Sequence, residues 1–316
     1  MTRRKVVVIG GGASAEHEVS LASASAVARA LDPLHYDVRS LTIDRTGGWH
    51  DDTRRVDLPD VVRLLRACDV AVPAVHGSPG EDGTLAAFLD VIGVPWVGSG
   101  VHAGAVAMDK WVTKLVARAV GVEVAAGRVV ARGQVGQLRQ LAWPGPSVVK
   151  PVGAGSSLGV SVARSQVELD AALGLAFEFD DRALVEEFVV GREIDVAVLR
   201  RADTSILVSP PLEIVGDELF DYATKYGGTA DFRVPAHLSD GERRSLEDAA
   251  RAMFEALGCA GLARVDFFLT PAGPVLNEVN TTPGMTEHSQ APRMFAAGGL
   301  AYPALLDELI DGALAR

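Results

Sequence analysis

Two cysteines in 316 residues, Cys68 and Cys259, are too few and too far apart for a disulfide framework or a cysteine-based zinc site, so a free thiol is expected at each. Aromatic residues are scarce at 6%, and basic residues are outnumbered 30 to 41, for a formal charge of -11. That deficit argues against a nucleic-acid partner and against an anionic membrane surface; an anionic ligand has to be met by local cations and backbone N–H groups. No apolar run reaches membrane-spanning length, and the first residues lead into strand-like residues 6–9 without a cleavable leader pattern, so a soluble, cytoplasmic chain is expected. Small aliphatic residues are abundant. At 48% hydrophobic the chain can bury a sizeable core, and its length calls for two or three domains.

The densest chemistry lies late in the chain. Asp266 and Glu278 sit in apolar runs at residues 261–269 and 274–279, with Pro271-Ala272-Gly273 between them as a turn. Two strands joined there would hold both carboxylates and Asn280 against one small volume. Hard oxygen ligands of this kind, completed by water and phosphate, hold magnesium on a nucleotide. Arg264 alternates onto the Asp266 face and supplies a planar cation. Acidic residues at strand ends are commonly just solvated, but four polar groups on a hairpin of Val, Leu and Phe point to phosphoryl transfer.

Upstream, residues 6–9 followed by Gly10-Gly11-Gly12-Ala13-Ser14 predict a buried strand turning into a helix whose N-terminus attracts an anion. The turn also satisfies G-x-G-x-x-A, and Asp44 after residues 38–43 could serve a nicotinamide dehydrogenase. That alternative leaves the late hairpin unexplained. Glu18 is expected to complement the helix dipole, whereas Glu16 lies nearer the crevice and could accept an ammonium. Residues 70–75 predict a second buried parallel strand, ending in the polar loop from His76 to Gly83. His76 is read as ligand-facing in preference to a structural histidine. A helix bearing Leu85, Phe88, Leu89 and Ile92 and a short strand at residues 94–97 complete a doubly wound α/β unit of about 100 residues.

Gly98-Ser99-Gly100 marks a joint. One helix is expected around residues 108–114; Lys110 and Lys114 share a face, ordinarily a solvated stripe, with a phosphate role kept for Lys110. The stretch from that helix to Pro146 looks sparse, with Gly, Arg and Gln. A strand at residues 147–150 puts Lys150 at its exit before a flap with Gly153, Gly155, Ser156, Ser157 and Gly159, whose backbone N–H groups can close over phosphates. No G-K-[ST] follows, so this is no P-loop. Residues 185–193, with Glu186, Phe188, Val189 and Glu193, suit an adenosine pocket. Residues 193–199 alternate as a half-buried strand, residues 216–235 form an irregular polar lid with Lys225 and Tyr226, and residues 239–257 form an amphipathic helix.

In this order and spacing the fragments resemble the ATP-grasp superfamily, and within it the D-alanine-D-alanine ligase family, nearly end to end. The matching runs include residues 10–20, 76–83, 108–110, 150–157, 221–226, 261–266 and 280–289. The resemblance implies an α/β ATP-grasp fold: a Rossmann-like unit at 1–98, a central subdomain with the flap at 99–188, and a C-terminal subdomain with the metal site and lid at 189–316. It implies that Lys110, Lys150, Ser157 and Lys225 contact nucleotide phosphates and that Glu186, Phe188, Val189 and Glu193 line the adenosine site. Asp266, Glu278 and Asn280 would bind two Mg2+ or Mn2+ ions. Glu16 would hold the ammonium of the first D-alanine in a link with Ser156 and Tyr226, Arg264 and the Gly284 N–H would stabilise an oxyanion, and Ser289 would bind the second carboxylate. A homodimer is implied as well; the need for a monovalent cation stays open. The family's lid often reads Asp-Tyr-Glu-Ala-Lys-Tyr, whereas Ala223 and Thr224 stand here and the loop is short. Retention of Tyr226 favours a dipeptide product over a depsipeptide, with a different second D-amino acid left open.

Overall fold

In the computed structural model, which describes residues 3–134, 145–216 and 231–316, the chain forms three sheets. The first contains β1 (Arg4–Gly11), β2 (Tyr36–Ile43), β3 (Trp49–Asp51), β4 (Arg54–Val56) and β5 (Val70–Pro73), in the order β4-β3-β2-β1-β5. Its centre is parallel and its outer hairpin antiparallel. Helices α1 (His17–Ala30), α2 (Leu58–Arg66) and α3 (Thr84–Ile92) follow the strands. Alternate residues of β1 feed two cores: Val7 and Ile9 join Leu65 and Leu89, while Val6 and Val8 join Val27 and the C-terminal Leu309 and Ile310. Both faces are covered, as continuous apolar parallel strands require. The short strand expected at 94–97 is reduced to a single bridge between Ala71 and Trp96, made by the Ala71 N–H to the Pro95 carbonyl and the Val97 N–H to the Ala71 carbonyl; Pro95 has no N–H with which to extend the ladder.

The single helix expected around Lys110 is two, α4 (Val101–Met108) and α5 (Lys110–Ala119). Asp109 breaks them: its extended backbone ends α4 while its carboxylate accepts the Val112 N–H and caps α5. Both helices pack on a strand of the third sheet although the expected boundaries put them in the central unit.

The second sheet contains β6 (Gly127–Ala131), β7 (Ser147–Pro151), β8 (Ser161–Ala163) and β9 (Arg182–Glu187), in the antiparallel order β6-β9-β7-β8. The flap joins β7 to β8 as expected, and β6 is a regular edge strand inside the stretch that looked sparse. Helix α6 (Gln166–Ala176) seats Leu169, Ala172 and Leu173 on Val149 and Val185.

The third sheet contains β10 (Arg192–Arg200), β11 (Ile206–Val208), β12 (Leu212–Val215), β13 (Asp231–Arg233), β14 (Leu262–Thr270) and β15 (Gly273–Asn280). Its order is β13-β12-β10-β14-β15, with β11 also on β10. Helix α7 (Asp240–Ala256), opened by a Ser239–Glu242 capping box, packs Leu246, Ala250, Met253 and Phe254 against Ile194, Val196 and Val198. On the other face α8 (Gln290–Ala297) and α9 (Tyr302–Leu314) bring Phe295 and Leu305 to Ala197 and Leu199. Strand β10 is therefore buried on both faces and not half-buried as its alternation predicted. Among the described residues no helix is long and apolar enough to cross a membrane.

Candidate functional site

The β14–β15 hairpin pairs Asp266 with Glu278 and Arg264 with Asn280. Direct partners in an antiparallel pair project from one face, so the expected polar group assembles. A β-bulge follows: Phe267 pairs with Leu276, leaving Asn277 as the extra residue. The bulge turns Asn277 and Glu278 to the same cavity although they are adjacent in sequence. Arg264 donates from Nε to Asp266 Oδ1 at 2.7 Å and from Nη2 to Oδ2 at 2.7 Å. Its Nη1 reaches Gln290 Oε1 at 2.6 Å, and Asn280 donates to Asp266 Oδ2 at 2.9 Å. Asp195 stands opposite Asp266 on β10, with Oδ2 3.4 Å from Arg264 Nε. Burial works against the guanidinium charge, but Asp266 and Asp195 outweigh it and raise the Arg264 pKa well above its usual value.

Beside this row a cavity of about 600 Å³ opens between the second and third sheets, lined by Phe188, Val189, Glu193, Phe268, Ser157 and Glu278 among others. The size suits a nucleotide. Three buried lysines meet at its inner wall. Lys110 bonds the Ala154 carbonyl at 2.6 Å and faces Glu278 at 3.3 Å. Lys150 lies 2.5 Å from Glu186 Oε1 and 3.0 Å from Asn277 Oδ1. Lys114 lies 2.9 Å from Glu186 Oε2 and donates to the Leu276 carbonyl at 3.1 Å. Burial alone would raise the Glu186 pKa; the two lysines hold it below the usual carboxylate value. Burial pulls Lys114 down to about 8 despite that partner.

At the other end of the row the flap meets the first domain. The Ser156 hydroxyl donates to Glu16 Oε1. Ser156 and Ser157 hold the left-handed conformation, with φ of 51° and 56°. Backbone closes on the second carboxylate oxygen: a Cβ at Gly77 would come within 2.9 Å of Glu16 Oε2 and one at Gly155 within 3.0 Å. After the Gly284 loop, Ser289 precedes α8 and its Oγ accepts from the Thr286 N–H at 3.1 Å.

His76, expected to face ligand, is buried among protein groups. Its Nδ1 bonds the Thr282 carbonyl at 2.8 Å and its Nε2 the Ser23 hydroxyl at 2.9 Å, so both ring nitrogens are committed to protein. Burial lowers its pKa and keeps it neutral. Ser23 also accepts the Met285 N–H at 3.2 Å, and the imidazole thereby ties α1 to the 281–285 loop. The dinucleotide alternative loses its acid: Asp44 accepts from the Thr46 and Gly48 N–H groups, the Thr46 hydroxyl and His50, closing its own turn. Lys225 and Tyr226 lie outside the described residues. Sequence reasoning missed Lys114, Asn277, Asp195 and Gln290. Only Lys114 carried a signal, its i, i+4 spacing from Lys110.

Comparison with known proteins agrees along the whole chain. Residues 5–99 match the family model described as D-ala D-ala ligase N-terminus and residues 125–311 the one described as D-ala D-ala ligase C-terminus. The D-alanine–D-alanine ligase of Mycolicibacterium smegmatis is 38% identical over 99% of this chain and 96% of its own length. That of Nocardia farcinica is 39% identical over 100% and 99%. Among solved structures, the VanG D-Ala:D-Ser ligase from Enterococcus faecalis superposes with a TM-score of 0.85 at 33% identity, covering 99% of this chain and all of that one. The Bacillus anthracis D-alanine–D-alanine ligase complexed with ATP does so with 0.82 at 28% identity, covering 98% and 97%. With both halves of the fold matched and the charged hairpin at the edge of a nucleotide-sized cavity, the chain belongs to the D-alanine–D-alanine ligase family.

Proposed function

We propose that this chain joins two molecules of D-alanine, converting one ATP to ADP and phosphate, and so supplies the dipeptide for peptidoglycan precursors. The observation that carries this is the register of Arg264, Asp266, Glu278 and Asn280 beside a cavity walled by three buried lysines. Lys110 and Lys150 neutralise the triphosphate, with Lys225 in the same role from the lid. Phe188, Val189, Glu186 and Glu193 receive the adenosine, and Ser157 in the flap covers the phosphates.

Glu16, backed by Ser156, holds the ammonium of the first D-alanine, so that its carboxylate oxygen faces the γ-phosphorus. That oxygen forms a bond to phosphorus as the β–γ bridge breaks and ADP departs, leaving an acyl phosphate. Ser289 holds the carboxylate of the second D-alanine, whose amine nitrogen attacks the acyl carbon. Arg264 and the Gly284 N–H stabilise the oxyanion, the carbon–oxygen bond to phosphate then breaks, and the departing phosphate takes the proton that the amine sheds. Tyr226 joins the Glu16 link from the lid, which with the flap excludes the water that would hydrolyse the acyl phosphate.

Asp266, Glu278 and Asn280 fit divalent cations. Among the described residues no three His, Cys, Asp or Glu side chains gather as a metal site, and two carboxylates with one amide leave the remaining positions to phosphate and water, as magnesium on a nucleotide requires. When bound, two Mg2+ or Mn2+ ions supply neutralisation of the charge on the transferring phosphoryl group. A cytoplasmic location and a homodimer belong to the same proposal and rest on family likeness.

The test is phosphate release and product analysis with ATP and a panel of amino and hydroxy acids. Release that requires D-alanine, with D-alanyl-D-alanine as product, is expected. Equal turnover with D-lactate, L-alanine or D-serine as second substrate would overturn the assignment.

A further inference from the structure

Asp195 takes no part in the chemistry above, yet its position is not that of an incidental residue. Strand β10 is fully excluded from solvent from Ile194 to Leu199, and Asp195 is the one charged residue in that stretch, at 0% exposure. A carboxylate is kept in such surroundings only against a counter-charge. Its register partner is Asp266, and its Oδ2 lies 3.4 Å from Arg264 Nε.

The Arg264 fork covers both oxygens of Asp266, and Asn280 adds a second donor to Oδ2. A cation engaging Asp266 competes with that fork and places a like charge beside the guanidinium. The Arg264 side chain is 11% exposed, so water offers it little compensation. Its Gln290 partner is neutral. Among the described residues Asp266 and Asp195 are the carboxylates within ion-pair distance of it, and Glu278 adds its charge from farther away.

We propose that Asp195 is a positioning residue: its carboxylate holds Arg264 in place when a divalent cation draws Asp266 away, so that Asp266 serves the metal without the guanidinium leaving the reaction centre. The inference rests on the proposed metal role of Asp266. It gives β10 a part in setting metal affinity although no residue of β10 is a proposed ligand.

The test measures Mn2+ binding to the full chain in the presence of a non-hydrolysable ATP analogue, by the electron paramagnetic resonance of free Mn2+. Wild type should bind, and Asp266→Asn should abolish binding. Asp195→Asn should weaken Mn2+ roughly 10- to 100-fold, the usual effect of removing a group that supports a metal ligand. It should leave binding of the analogue without metal unchanged. In an Arg264→Met background the same substitution should change Mn2+ affinity by less than about threefold, because partners that act through one group are non-additive. If wild type and Asp266→Asn bind alike, the metal reading itself fails. If they differ as expected and Asp195→Asn matches wild type, or its effect persists undiminished without Arg264, the role given to Asp195 is overturned. Should Asp195→Asn not fold, Asp195→Ser carries the same expectation.

Discussion

Lys114 and Glu186 meet at 2.9 Å with side chains 2% and 5% exposed, and Lys150 closes on the same carboxylate at 2.5 Å. Two cations therefore share one buried anion, which leaves net positive charge at the inner wall of the nucleotide cavity. Since Lys114 has its pKa lowered to about 8 by burial, its proton is retained below that pH and lost as pH rises through it. The KM for ATP should accordingly rise above about pH 8. Lys114→Met should raise that KM about tenfold at neutral pH, equivalent to about 1.4 kcal/mol of binding, and should flatten the alkaline limb. Steady-state kinetics between pH 6 and 9 read both effects, and an unchanged alkaline limb in the variant would remove Lys114 from the nucleotide site.

Glu81 gives a pH effect of a different kind. Its Oε2 accepts the Gly77 N–H at 2.9 Å, and burial, with the Glu16 charge adding to it, pushes the carboxyl up from 4.5 to about 8. A carboxyl raised on folding contributes stability that is fully present below its unfolded value and is lost as pH rises through the folded one. Glu81→Gln keeps an acceptor for Gly77 and carries no charge. The melting temperature of the variant should gain on wild type from about pH 4.5 to about pH 8 and level off above, by at least about 2 °C, the order of shift that 1 kcal/mol produces. A gap that does not vary with pH would show that Glu81 does not titrate in this window.

The flap serine separates backbone strain from hydrogen bonding. Ser156 holds φ of 51° while its hydroxyl donates to Glu16. A non-glycine residue in the left-handed region costs roughly 1–2 kcal/mol. Ser156→Gly should relieve that strain and Ser156→Ala should not, so the glycine variant should be the more stable of the two. Both lose a hydrogen bond to a charged group, about 1.5–3 kcal/mol, and both should lose roughly 10- to 100-fold in kcat/KM for the first D-alanine. Different losses in the two variants would mean that backbone shape, not the hydroxyl, serves the substrate.

The hairpin was legible in the sequence because its strands alternate, and a three-residue Pro-Ala-Gly turn predicts the pairing of Asp266 with Glu278 and of Arg264 with Asn280 that the structure shows by another route. The bulge was not legible: the turn is Pro271-Ala272 alone, with Thr270 opposite Gly273, so only the extra residue at Asn277 brings Glu278 and Asn280 to the Asp266 face, and nothing in residues 274–280 distinguishes a bulged strand from a regular one. Lys114 has the spacing of a solvated stripe and is buried only because α5 packs on β15 and faces Glu186 of β9, a contact across 72 positions. Asp195 interrupts an apolar alternation with one polar residue, which reads as the exposed face of a strand until α8 and α9 are seen to cover it. The partners of His76 were hidden for a related reason: its loop is at the ligand edge, but Ser23 and Thr282 come from segments far away in sequence.

That arrangement makes His76 a test of whether the Gly284 loop must be held still. The neutral ring donates from one nitrogen and accepts at the other; with Nδ1 on a carbonyl oxygen, Nδ1 carries the hydrogen and Nε2 receives the Ser23 hydroxyl. Asparagine places an amide N–H near Nδ1 and can keep the Thr282 bond while losing Ser23; alanine loses both. If the imidazole serves by holding the 281–285 loop, His76→Asn should retain more activity than His76→Ala, and the loss should fall on kcat with the KM for ATP unchanged, because the loop carries the proposed oxyanion N–H of Gly284 and does not line the cavity between the second and third sheets. Each neutral hydrogen bond is worth about 1 kcal/mol, which sets a step of about fivefold between the variants. A fall in both variants confined to the KM for D-alanine would instead return His76 to the substrate.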